Sequence, residues 1–510
     1  MEKNSRDTQG KKRQGSPLKF VYIIAGCMFL YFTRGDMPFG LAVWLSFVFL
    51  LRFFRTSRPI LGYVFAVPPA AISIFWASKG MMLLPANARL FYSLFISIVF
   101  FLPFLLDRLI VQKIPKWGSF LLFPSLMVSF YYLVSFSYNG TWGNPAYALS
   151  GNIILLQLTS LTGIWGLVFL PCLFASVFNA LWENRFSVNE ARLPVFTFLM
   201  LFFLVFLYGF VRLRYFSYAE DSMRAAIVTP DKNQRDILRR TLFYLVSAQK
   251  VKEEQIDKLR LSLAAAFQNL LKESEKQVSA GAQIVAWSEA AVILFECDKE
   301  ELFSKACELA QKNRVHLGLT AIIVRKGNIL EPRAEHPGFR NTFIFINSEG
   351  KKVFEHHKSK LLPRLETNIY NPGNGTFTAY ETDKGMISAA ICYETLFPDV
   401  IRRAAKPDTR ILIIPSSDWK EIKNTHARIA VTRAVENGFS LLRPTSDGIS
   451  MAADPFGRIF GRIDYSTKNR ASLTMELPVK KVDTLYAVLG DWLAWLCLLV
   501  SAALVASSLF

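Results

Sequence analysis

The sequence predicts an α-helical transmembrane bundle of about eight spans carrying an α/β layered domain just before its last span. Three observations predict this. Apolar residues crowd into 20–213 and 485–510, the Lys/Arg content of successive loops alternates, and short apolar runs alternate with amphipathic stretches between 222 and 480. At 510 residues, 52% hydrophobic and with 44 Phe, the chain is too large and too apolar for one soluble domain.

Seven apolar spans precede the polar region, at 20–33, 37–51, 59–78, 89–106, 117–138, 152–182 and 193–211, and an eighth follows at 485–510. Most approach the ~20 residues that cross a bilayer. The first two are short and read as a tilted or re-entrant hairpin turning at Arg34 and Asp36. Basic residues mark one side: Lys3, Arg6, Lys11, Lys12, Arg13 and Lys19 in the segment 1–19, then Arg52, Arg55 and Arg58, then Arg108, Lys113 and Lys116, then Arg185 and Arg192. The opposite loops hold only Arg34, Lys79 and Arg89, and 138–151 has no charge. The positive-inside rule then places both termini in the cytoplasm, 20–214 in the membrane and 222–480 outside, with Arg212 and Arg214 as dissent. The first apolar run continues into a polytopic pattern, so no cleaved signal peptide is expected.

These loops account for much of the net charge of +19. No basic-aromatic motif accompanies it, and nucleic acid is not an expected partner. The uncharged segment 138–151 and the following 155–171 read first as an interfacial turn with aromatic anchors. The sharper reading is a shelf that helps form a lipid site facing the polar domain.

In the polar domain, 224–231 opens as a buried strand and 233–280 as one or two long amphipathic helices. A strand at 283–288 ends at Glu289, and a helix at 299–312 leads to a strand at 315–324. A hairpin turns at Ser348-Glu349-Gly350. Strands at 385–392 and 410–415, a helix at 424–437 and paired strands at 439–453 and 458–462 complete the domain. Runs such as ILIIP and ISAAIC suit strands buried on both faces.

Three residues stand at strand ends: Glu289 after QIVAWS, Lys358 in HHKSKLLPRLE and Cys392 at the close of ISAAIC. Singly, each has an ordinary explanation as a helix cap, a solvent-facing lysine and a core thiol. Cys27, Cys172 and Cys497 lie in apolar spans, and Cys297 and Cys307 flank a helical pattern without metal-ligand spacing. His336, His356, His357 and His426 do not match common zinc spacings either, so no metal is expected.

Together, Glu289, Lys358 and Cys392 resemble the Glu-Lys-Cys triad of the carbon–nitrogen hydrolase (nitrilase) superfamily. The flanking text agrees: Asn341, INSEGK at 346–351, Pro372-Gly373, CYETLFP at 392–398, SSDW at 416–419 and the block 427–459. The resemblance implies that superfamily's αββα sandwich. With seven spans before this domain and one after it, nearly the whole chain is similar to the apolipoprotein N-acyltransferase family.

That resemblance implies an acyltransferase of the bacterial inner membrane that needs no cofactor. Its expected partners are a phospholipid acyl donor and diacylglyceryl apolipoproteins as acceptors. Cys392 would carry the acyl group as a thioester, Glu289 would take protons and Lys358 would stabilise the oxyanion. Glu366 and Glu394 would position Lys358 and the amine, and Tyr393 would line the substrate site. The sequence departs from the family at Ser288 (Pro in the family), His356 (Tyr), Lys360 (His) and Leu365 (Gly), which makes Lys360 a competitor for the role of Lys358. The alternative is a membrane-tethered amidase of the same superfamily, in which water resolves the thioester. A degenerate scaffold would have lost triad residues, and none is missing.

Overall fold

The structure is a computed structural model that describes residues 18–35, 38–215, 221–247, 253–324, 338–405, 408–465 and 472–509. The basic segment up to residue 17, Asp36 and His336 lie outside the described residues. The chain divides into two compact units, 1–216 with 489–510, and 217–488.

The first unit is helical. Five of its helices are long and apolar enough to cross a membrane: Pro59–Ala77, Ala86–Ile110, Gly118–Ser135, Ile164–Glu183 and Arg192–Tyr215. Leu18–Phe32, Ile153–Thr162 and Trp492–Ser507 are shorter apolar helices. The expected single span at 152–182 is not one helix. Single turns at Ile153–Leu156 and Thr159–Thr162 precede Gly163, whose φ of 64° ends the local run before Ile164–Glu183 begins. Asn152 starts the first turn by accepting from the Ile154 and Leu155 amides at 3.0 and 3.1 Å. The run 485–510 divides in the same way at Gly490, φ 64°, into Leu485–Leu489 and Trp492–Ser507.

A buried ion pair ties two of these helices. Arg55 grips Asp107 through two hydrogen bonds of 2.9 and 3.0 Å, and Asp107 is 0% exposed. Removing one partner leaves the other charge buried without compensation. Asp107→Asn should therefore destabilise the helical unit by about 3 kcal/mol. Thermal unfolding of the detergent-solubilised protein checks this, and an unchanged midpoint would contradict it.

The second unit holds two six-strand sheet paths. In the first, strands run in the order β15-β1-β2-β4-β5-β6, with β3 pairing β4. Their ranges are β1 Ser222–Val228, β2 Ile284–Trp287, β3 Val292–Phe295, β4 His316–Val324, β5 Arg340–Ile346, β6 Lys352–His357 and β15 Ser472–Pro478. The second path is β14-β13-β11-β9-β8-β7. Here β7 is Ala379–Thr382, β8 Gly385–Ala389, β9 Thr409–Ile413, β11 Ser440–Arg443, β13 Ile449–Ala453 and β14 Ile459–Asp464. A short parallel pair joins β10, Ser416–Ser417, to β12, Thr445–Ser446.

The period-2 alternation of strand side chains builds the layers. In β1, Ala225 and Ile227 pack with Phe343, Phe345, Ile387, Ile411 and Ile413 between the sheets. Ala226 and Val228 face the other way, onto Phe267, Leu270 and Leu271 of helix Glu253–Ser279 and onto helix Lys299–Asn313. Helices Pro398–Ala405 and Lys423–Asn437 pack with the second sheet. Gly318 keeps the sheets close, since a Cβ there would meet the Phe343 ring at 2.9 Å. This is the nitrilase-like layering of helices outside and sheets inside. Strands β3, β7 and β15 were not expected from the sequence, because short runs such as VILF do not show a period.

Candidate active site

Strand direction brings the site residues to one edge of the first sheet. β2 and β4 are parallel, β5 is antiparallel to β4, and β6 is antiparallel to β5. The carboxyl ends of β2 and β6 therefore lie on the same edge, and Glu289 and Lys358 follow them. Asn341, at the start of β5, bridges the gap. Its Nδ2 donates to Glu289 Oε1 at 2.9 Å, and its carbonyl accepts from the Lys358 amide at 2.9 Å.

The Lys358 ammonium donates to Glu289 Oε1 at 2.8 Å and to Glu366 Oε1 at 2.7 Å. Both lysine and Glu289 are nearly inaccessible, at 2% and 4% exposed. Burial opposes the lysine charge, but the two carboxylates win and hold it well above its ordinary pKa. Glu366 is pushed the other way by burial, with Glu289 adding to the rise, although Lys358 opposes it. Its other oxygen accepts from the Leu362 amide at 2.8 Å, which folds the loop back onto the lysine. The backbone of Lys358 is also held, because its carbonyl accepts from the Gly373 amide at 2.9 Å. Only glycine allows that approach: a Cβ at Gly373 would stand 2.1 Å from the His357 carbonyl oxygen.

Cys392 comes from the second sheet. The expected strand 385–392 stops at Ala389, and Cys392 instead opens a 3₁₀ turn, Cys392–Leu396. Its φ is +45°, a left-handed value that costs a residue with a Cβ roughly 1–3 kcal/mol and persists only where neighbours enforce it. Those neighbours are on hand. The Cys392 amide donates to the Pro415 carbonyl at 2.8 Å, and the Cys392 carbonyl accepts from Thr395 Oγ1 at 2.7 Å. Glu394 Oε2 accepts from the Ile391 amide at 2.6 Å. Burial pushes the Cys392 thiol well above its ordinary pKa, with Glu289, Asp418 and Glu366 adding to it and Lys358 opposing.

Glu394 does not join the lysine cluster. It is fully buried and accepts from the Ser359 amide at 2.8 Å, the Ile391 amide and His356 Nε2 at 2.8 Å. Burial opposes its charge, but His356 and these donors lower its pKa to about 2. Glu394 in turn raises His356 against its own burial. Lys360 leaves the site too, with its ammonium 4.8 Å from the Phe397 ring centroid. Tyr393 is buried, edge-on to Phe397 at 5.7 Å.

Sequence reasoning missed the network beneath Cys392. His426 Nδ1 contacts Asp418 Oδ1 at 2.7 Å, Arg443 donates to Asp418 Oδ2 at 2.8 Å, and His426 Nε2 lies 2.9 Å from Thr395 Oγ1. The ligand-type atoms of Cys392, Asp418 and His426 all lie within 4.8 Å of one another. A cation there would have to displace these bonds and sit beside the Arg443 guanidinium. The SSDW run offered a signal, but Asp418 and His426 are eight residues apart across a loop, which shows no period.

Comparison with known proteins matches this geometry at both ends of the chain. Residues 254–485 match the carbon-nitrogen hydrolase family, and residues 24–177 match the apolipoprotein N-acyltransferase N-terminal domain. A protein of Rickettsia bellii named apolipoprotein N-acyltransferase is 25% identical over 464 residues, covering 84% of this chain and 85% of its own. The chain belongs to the apolipoprotein N-acyltransferase family. A second member, from Geobacter metallireducens, is 25% identical over 76% of this chain and 74% of its own, and one from Thermotoga maritima is 23% identical over 94% and 92%. An amidase from Nesterenkonia sp. aligns over 53% of this chain and 94% of its own at 16% identity, with a TM-score of 0.37. The departures from the apolipoprotein N-acyltransferase pattern have visible settings: His356 pairs with Glu394, Lys360 lies over Phe397, Leu365 is exposed, and the Ser288 carbonyl accepts from Thr320 Oγ1.

Proposed function

We propose that this protein moves a fatty acyl chain from a phospholipid to the α-amino group of the N-terminal diacylglyceryl-cysteine of apolipoproteins, through a thioester on Cys392. The observation that supports this reading most is the buried Glu289–Lys358–Glu366 cluster in electrostatic range of a strained, neutral thiol. In the first step Glu289 takes the thiol proton and the sulfur bonds to the ester carbonyl carbon. The Cys392 amide is occupied by Pro415, so the oxyanion is assigned to the Lys358 ammonium. The carbon–oxygen bond breaks, and the Glu289 proton leaves with the lysophospholipid. In the second step the acceptor amine attacks the thioester, Glu289 takes its proton, and the sulfur leaves and is reprotonated.

Glu366 anchors Lys358 in this scheme, Glu394 shapes the cysteine turn, and Tyr393 borders the acyl or head-group site. No metal or cofactor enters the reaction. The enzyme would lie in the bacterial inner membrane with residues 222–480 outside and both termini in the cytoplasm. An apolar helical unit suits lipid substrates, since exposing an acyl chain to water costs about 0.8 kcal/mol per CH₂.

Incubation with labelled phospholipid and a diacylated lipopeptide tests the proposal. The label should pass through a hydroxylamine-sensitive bond on the protein to the peptide amine, and Cys392→Ala should abolish both signals. Release of free fatty acid alone would instead support the amidase reading, and labelling that survives in Cys392→Ala would sink the mechanism.

A further inference from the structure

The helical unit carries cationic groups at the end where the sequence has few. Arg34 closes helix Leu18–Phe32, and Arg89 sits in the first turn of Ala86–Phe100. Neither guanidinium has a carboxylate partner among the described residues, and the Nε of each is buried with nothing accepting its proton. Arg34 Nη1 lies 4.0 Å from the Cβ position of Gly143. The next residue, Asn144, is 5% exposed; its Oδ1 accepts from the Ala146 amide, while its Nδ2 donates to nothing. Arg34 is also the cation acting on the hydroxyls of Tyr131 and Tyr92, and Tyr92 lies one turn beyond Arg89. Arg89 packs over Phe75 at 4.5 Å.

Three orphaned donors with a shared preference for an anionic oxygen are thus gathered around one helix-end region. Buried N–H groups are ordinarily satisfied, so their pattern specifies a missing acceptor. Guanidinium groups match a phosphate in geometry as well as charge. Lipid-facing side chains next to them in the chain, Phe32, Phe39, Phe91 and Tyr138, are 47%, 56%, 71% and 69% exposed, which suits a phosphate attached to acyl chains rather than a free ion.

We propose that Arg34, Arg89 and Asn144 form a binding site for the phosphodiester of a membrane phospholipid. That this lipid is the acyl donor rests on the acyltransferase reading; the binding itself does not. The full chain in detergent micelles, given equal phosphatidylglycerol and diacylglycerol, should retain the phospholipid about tenfold better by native mass spectrometry. Arg34→Gln with Arg89→Gln should bring the two lipids to parity, and Arg34→Lys should keep part of the preference, with thermal melting as the folding control. Unchanged preference in a folded double variant would overturn the site. Displacement of phosphatidylglycerol by an equal concentration of inorganic phosphate would overturn the lipid assignment. If wild-type Cys392 takes no label while the phospholipid preference persists, the acyl-transfer reading fails and the site stands. If label passes normally in the double variant at low donor concentration, the site is not the donor's.

Discussion

Glu289→Gln should slow acylation of Cys392 by about 10²–10⁴-fold, and the loss should shrink as pH rises. A positioned general base contributes roughly that much, and the need is acute because burial holds the Cys392 thiol protonated. Glutamine keeps the hydrogen bonds from Asn341 and Lys358 but cannot take a proton. In the variant, reaction must wait for thiolate formed without help. Below the raised thiol pKa the thiolate fraction grows about tenfold per pH unit, so the variant's rate should rise with that slope. Single-turnover labelling from labelled phospholipid between neutral and alkaline pH measures it. A pH-independent loss would show that Glu289 does not act as the base.

Glu394→Ala should cost about 3–5 kcal/mol of stability and most of the activity, because it strands a buried imidazole and frees the cysteine turn. The pair with His356 also has a pH signature. Glu394, lowered to about 2, contributes stability that is present above its unfolded value of about 4.5 and is lost as pH falls toward about 2. His356 is raised, so its contribution is full below about 6.5 and is lost as pH rises through its folded value. The pair is strongest between these limits. His356→Tyr, the residue its relatives are expected to carry, should retain a donor for Glu394 and flatten the alkaline limb. Thermal midpoints of wild type and variant across pH check this, and parallel curves would refute the role of His356.

The layered domain was legible because buried parallel strands such as β9 and β8 read as unbroken apolar runs, and because Glu289, Lys358 and Cys392 each end such a run. Strand ends are where open α/β sheets gather ligands. What escaped the sequence was local and three-dimensional. Cys392 does not finish its strand, since its positive φ is imposed by Pro415, Thr395 and Glu394, residues whose convergence no periodicity announces. The choice between Lys358 and Lys360 likewise rests on which way each side chain leaves the loop. In the helical unit, hydropathy found the apolar stretches but not the break at Gly163, because an apolar run looks the same whether or not it is one helix.

The two sheets also act as a gauge. Glu289 and Lys358 belong to one sheet and Cys392 to the other, so the reacting groups meet across the seam of the sandwich. The thickness of that seam is set by residues such as Gly318 and Phe343, which have no chemistry of their own. A shift of about 1 Å can cost a hundredfold in rate. The tolerance of the reaction is therefore written in the filling of the core, and a methyl group added there would register as slower turnover before it registered as unfolding.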